Sequence, residues 1–96
     1  MRIAVSDKAK SDLHRIYIYL TKRSPSAADS FIHRIDRNLA NLARFPFLGR
    51  ERSSLAPGIR CLVAGLHLIF YIVSPNGITV VRVIDGRMDV DEEFYR

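Results

Sequence analysis

Between residues 7 and 22 the apolar positions Ala9, Leu13, Ile16, Tyr17 and Leu20 recur at spacings of four, three, one and three, the stripe of an amphipathic helix. Ser6 stands where it can cap the first turn, and Asp7 follows as a carboxylate that complements the helix dipole. Residues 2–5 read as a short opening strand. A second stripe, Ala28, Phe31, Ile32, Ile35, Leu39 and Leu42, is opened by Ser24-Pro25 and closes before Pro46. Two helices joined by about two residues fold back on each other as an antiparallel hairpin. Phe45-Pro46-Phe47-Leu48-Gly49 ends the second helix, and residues 50–58 read as a polar loop with Pro57-Gly58 as its closing turn. From there the periodicity changes. Residues 59–64, 66–73 and 78–85 are rich in β-branched and aromatic side chains and are separated by Gly65 and by Ser74-Pro75-Asn76-Gly77, a strong hairpin signal. The predicted order is β-α-α-β-β-β, an α+β fold in which a helical hairpin packs on one face of an antiparallel sheet.

Composition narrows the class. The chain has 96 residues, of which 48% are hydrophobic and 26% charged, so one globular domain over residues 1–96 is expected and disorder is not. A core of this size leaves no room for a deep enclosed chamber, so any site is an open face or groove. The densest apolar run, residues 62–73, is broken by Gly65 and His67 and falls short of the roughly 20 residues of a membrane helix. The first residues carry charge and no long apolar leader, and Cys61 is the only cysteine, so no internal disulfide forms and a cytoplasmic location is expected. Charge is unevenly spread. Residues 1–60 carry 12 Lys and Arg against 5 Asp and Glu, a surplus of +7, whereas residues 61–96 carry 3 against 5, a balance of −2. A basic field of this kind suits an acidic protein partner or a nucleic acid and does not choose between them. The stacking aromatics along a basic stripe that would identify a nucleic-acid binder are missing, and direct sequence-specific binding is not expected.

Few residues offer chemistry. His14, His33, His67 and Cys61 lack ligand-like spacing, so no metal site is expected; Cys61, flanked by apolar residues in a strand, reads as a small buried hydrophobe. Neither a phosphate-cradling glycine loop nor a nucleophile elbow is present, and no cofactor is implied. Arg60 and Arg82 stand out because each interrupts an apolar strand. Strand alternation turns Arg60 away from Ile59, Cys61 and Val63 and onto the face of Leu62 and Ala64. Such an arginine either pairs internally, with Asp85, Asp89 or Glu51, or lines a groove for an anionic partner. Arg50 and Arg52 read as loop charges without a role. The acidic tail reads as a solvated end whose Phe94 docks on the core, ahead of any catalytic use of Tyr95.

Taken together, the order and spacing of these segments resemble the RelE/ParE superfamily of bacterial toxin–antitoxin toxins, and within it the ParE branch of plasmid stabilisation proteins. The resemblance is carried by residues 9–20, by Ala28, Phe31, Ile35 and Leu42 leading into Phe45-Pro46, by Gly49-Arg50, by Pro57-Gly58-Ile59-Arg60, by residues 68–73, and by Val81-Arg82-Val83-Ile84 with Gly86-Arg87-Met88-Asp89. It implies a small cytoplasmic toxin neutralised by the C-terminal segment of a ParD-like or other cognate antitoxin, and, on the ParE branch, inhibition of DNA gyrase by protein binding without catalysis. On this reading Arg60, Tyr71, Arg82, Arg87 and Asp89 form the target- or antitoxin-binding face. The RelE branch implies a ribosome-dependent mRNA endoribonuclease, for which Arg60, Arg87 and Tyr95 would be the catalytic residues. Here Phe94 stands near the expected tyrosine and the lysines of such a site are absent from it, since Lys8, Lys10 and Lys22 lie on the first helix. A relative that has lost toxicity but still binds antitoxin is the third alternative.

Overall fold

The structure, a computed structural model, describes all of residues 1–96. Strand β1 (Ile3–Val5) leads into helix α1 (Asp7–Arg23), which turns at Ser24 into helix α2 (Pro25–Arg44). Ser6 caps α1 by accepting from the Ala9 N–H at 3.1 Å. Ser24 serves both helices: its N–H donates to the Leu20 carbonyl at 2.8 Å, ending α1, and its hydroxyl accepts from the Ala27 N–H, opening α2 with Pro25 in the first turn. One residue therefore does the work of the predicted two-residue link.

Strands β2 (Arg50–Glu51), β3 (Arg60–Ala64), β4 (His67–Ser74) and β5 (Gly77–Asp85) follow, with a short helix α3 (Val90–Phe94) at the end. The sheet order is β1-β5-β4-β3-β2. The predicted α+β class stands, with three corrections. β1 runs parallel to β5, so the sheet is mixed rather than purely antiparallel. Two residues of the predicted 50–58 loop form the edge strand β2 on β3, and the tail carries α3. The β3–β4 hairpin closes through Gly65-Leu66, with Gly65 at φ 64°, a backbone state that favours glycine at the first position of such a turn.

Both faces of the sheet are covered, which is why β4 and β5 are nearly continuous runs of buried residues. The main core lies between the helical hairpin and the sheet and includes Phe31, Leu42, Ile69, Tyr71, Ile78, Val80 and Val83. A second cluster, Leu55, Ile59, Cys61, Phe70 and Ile84, lies on the other face beneath residues 52–59 and α3. Phe94 of α3 meets Phe70 edge to face at 5.3 Å, as expected of the tail. Cys61 is buried here, and its burial pushes the thiol pKa up although Arg52 draws it down.

Candidate functional site

Two anchors organise the polar groups of the molecule. The first begins with a bulge: Tyr71 pairs with Val80 and Phe70 with Arg82, leaving Val81 over. The extra residue flips the parity of β5. Ile78 and Val80 face the helices before it and Val83 after it, while Arg82 shares the face of its partner Phe70. Because β1 pairs only as far as Val80, the edge of β5 beyond it needs other partners. The Ser6 hydroxyl donates to the Val81 carbonyl at 3.1 Å, and Asp12 of α1 accepts from the Val83 N–H at 3.0 Å. The same carboxylate takes Arg82 in a two-pronged pair, Nε to Oδ2 at 2.8 Å and Nη2 to Oδ1 at 3.0 Å, and Arg15 Nη2 at 2.6 Å. Burial would raise the Asp12 pKa, but the bonds from Arg82, the Val83 N–H and Arg15 outweigh it and hold the pKa below the usual aspartate value. Arg82 Nη1 donates onward to the Glu93 and Phe94 carbonyls, so the pair also ties down the end of α3.

The second anchor holds the segment between α2 and β2. Tyr71 is fully buried; its hydroxyl donates to the Pro46 carbonyl at 2.9 Å and accepts from the Gly49 N–H at 2.7 Å. Arg60, opposite Tyr71 across the β3–β4 ladder, donates to the carbonyls of Gly49 at 2.9 Å and Phe47 at 3.3 Å. It also pairs with Glu51 at 3.4 Å, one of the internal partners its sequence context allowed. A glycine is required at position 49, since a Cβ there would lie 2.6 Å from the Tyr71 hydroxyl oxygen.

The five residues of the predicted binding face are thus distributed over the molecule. Arg60 and Tyr71 meet at one end of β3–β4. Arg87 and Asp89 lie beyond the end of β5, whose Asp85 pairs with His67 at the opposite end of β4. Arg87 clasps Asp85 through Nε at 3.0 Å and Nη2 at 2.7 Å. Those bonds, from the Arg87 side chain first, bring the Asp85 pKa down to about 2. Asp89 caps α3 by accepting from the Glu92 N–H at 3.2 Å. Tyr71 and Arg82 are buried, so each acts on the surface only through the backbone it holds. For Arg82 the internal partner is Asp12, not Asp85, Asp89 or Glu51. Arg52 is likewise no idle loop charge, because its guanidinium lies over the Phe70 ring at 6.0 Å and 3.8 Å from Asp91.

Asp12 and the apolar 45–48 segment are the features that sequence reasoning passed over. A signal existed for each: Asp12 sits one turn after Ala9 on the buried stripe of α1, and Phe45, Phe47 and Leu48 form an apolar run in a predicted turn. The helical hairpin itself presents a shallow groove of about 410 Å³ lined by Leu13, His14, Tyr17 and Ile32. No helix of the chain is long and apolar enough to cross a membrane.

Residues 3–90 match the family described as the ParE toxin of the type II toxin–antitoxin system parDE. Toxin ParE1 of Mycobacterium tuberculosis is 50% identical over 63 residues, which cover 65% of this chain and 60% of that relative. Toxin ParE3 of Caulobacter vibrioides is 28% identical over 90 residues, covering 93% and 90% of the two chains. Among solved structures, a chain of a chromosomal ParDE toxin–antitoxin system from P. aeruginosa superposes with a TM-score of 0.73 at 25% identity, covering 88% of this chain and 95% of that one.

Proposed function

Because this chain belongs to the ParE toxin family of type II toxin–antitoxin systems, we propose that it is a cytoplasmic toxin that binds DNA gyrase, blocks replication, and is neutralised by the C-terminal segment of a cognate antitoxin. The observation that carries the choice of target is the dispersal of the ribonuclease residues. Arg60 faces Tyr71 midway along β4, and Asp85, which Arg87 clasps, faces His67 at its start; four residues of strand, about 13 Å, separate the two positions. Stabilising one developing phosphate charge needs cations preorganised around a single point. Here each arginine is engaged by a different local acceptor, and Tyr95 projects at 68% exposure from the end of α3. A protein that acts by binding needs no such convergence. The groove between α1 and α2 offers apolar anchoring for an antitoxin segment.

Within this reading the exposed Arg87 and Asp89 belong to the binding face, and Arg60, Tyr71 and Arg82 support it from below. A supercoiling assay run beside in vitro translation tests the target. Added protein should halt supercoiling and leave translation untouched; mRNA cleavage with gyrase running normally overturns the reading. Harmless expression in a host without antitoxin, with antitoxin binding retained, would also reject it in favour of a non-toxic relative. Arg87→Ala should relieve growth inhibition with only a small fall in the unfolding midpoint from the lost Asp85 pair, and an unchanged growth defect rejects that assignment.

A further inference from the structure

Residues 45–48 are built to be presented. Phe45 is 56% exposed, Phe47 66% and Leu48 51%, an apolar trio at the end of α2. The loop is fixed from within by the buried Tyr71 hydroxyl at Pro46 and Gly49, by Arg60 at Phe47 and Gly49, and by the close fit of Gly49 against the Tyr71 ring. Arg44 lies over the Phe45 ring at 5.5 Å and Arg60 over the Phe47 ring at 5.2 Å. Between them is a shallow saddle of about 430 Å³ lined by Arg44, Phe45, Pro46, Phe47 and Leu48. Aromatic side chains and arginines held in one geometry are the composition of an interface hot spot, and rigidity lowers the entropy cost of binding.

We infer that this saddle docks an acidic polypeptide segment, taking one of its aliphatic or aromatic side chains between Phe45 and Phe47 while a flanking carboxylate meets Arg44. Charge selects this occupant. Two arginines, Arg44 over Phe45 and Arg60 over Phe47, border the saddle against one carboxylate, Glu51, which Arg60 already holds. A second copy docked saddle to saddle would bring like charges together, whereas an acidic segment complements them. Three side chains on one loop are also a small footing for a lipid surface, where binding scales with buried apolar area. The inference depends on no assignment of target or antitoxin, so it stands or falls separately from the gyrase reading.

The test is an NMR titration of the ¹⁵N-labelled full chain with a synthetic peptide carrying Leu-Phe flanked on both sides by Glu and Asp, beside a control peptide with Lys at the flanking positions. Amide shifts should be confined to residues 44–51 and Arg60, appear only with the acidic peptide and weaken as salt is added. Phe47→Ser and Arg44→Glu, both at surface positions, should each weaken binding by about tenfold, with the remaining spectrum unchanged as the check on folding. Shifts centred on Leu13, Tyr17 and Ile32, equal binding of the Lys-flanked peptide, or affinity indifferent to both substitutions overturn the inference. So do concentration-dependent shifts at residues 44–51 without peptide, which would assign the saddle to a second copy, and shifts there with phosphatidylserine vesicles but not with the peptide.

Discussion

Asp12 and Arg82, seventy positions apart in the chain, form a buried two-pronged pair whose side chains are 2% and 7% exposed. The pair joins three elements, since the carboxylate also takes the Val83 N–H of β5 and the guanidinium also holds the carbonyls that end α3. Removing only the carboxylate leaves a buried cation without its counter-ion and a strand N–H without a partner. Asp12→Ala should therefore destabilise the protein by about 3–5 kcal/mol, read as a shift in the urea midpoint. The double replacement Asp12→Leu with Arg82→Met should recover part of that loss, because it removes both charges together; a double variant no more stable than Asp12→Ala contradicts this account.

The hold on residues 46–49 makes a second prediction. Tyr71→Phe removes one hydroxyl that serves the Pro46 carbonyl and the Gly49 N–H, and should cost about 1–3 kcal/mol. Gly49→Ala should cost a similar amount, about 1–3 kcal/mol, because its Cβ would press on the buried Tyr71 ring and on the Cys61 carbonyl. In Tyr71→Phe the Gly49 amide should exchange with solvent faster than its β3 neighbours. Slow exchange there would mean that the hydroxyl does not hold the loop.

Acid should unfold the protein in two stages. Burial lowers the His67 pKa; Asp85 opposes that shift, whereas Arg34 and Arg87 add to it. The unfolded chain then takes up a proton first as pH falls through about 6.5, and stability declines from there. Asp12 and Asp85 also have lowered folded values, so their contribution is full above the unfolded aspartate pKa near 4 and is lost as pH drops toward the Asp85 value of about 2. Urea midpoints measured from pH 8 to pH 3 should show both declines, with the upper one missing in His67→Phe. An upper decline that persists in that variant assigns it to another group.

Cys61 reports on the cover that α3 and residues 52–59 form over the second cluster. Buried and with a raised pKa, it should react with a thiol reagent only when that cover opens. Phe94→Ala removes the edge contact with Phe70 and should speed labelling by about tenfold, with the far-UV spectrum nearly unchanged. Equal rates in the two proteins would show that α3 does not gate access.

Local pattern was enough for much of this molecule. The apolar stripes, the caps at Ser6 and Ser24, the turn residues and the β-branched runs are short-range signals, and they place both long helices and β3, β4 and β5 close to where they stand. Strand alternation also assigns Arg60 to the face of Leu62 and Ala64. What it could not decide is which distant groups meet. The parallel pairing of β1 with β5, the two-residue strand β2 and the bulge at Val81 depend on contacts between remote segments and leave little periodicity to read. The bulge turns Arg82 to the face of Phe70, and the end of β1 at Val5 leaves an edge that Asp12 fills from α1. The partner of a buried charge is thus settled by where strands stop and slip, which is a property of the assembled sheet, whereas the need for a partner is visible in the sequence from the moment an arginine stands between two valines.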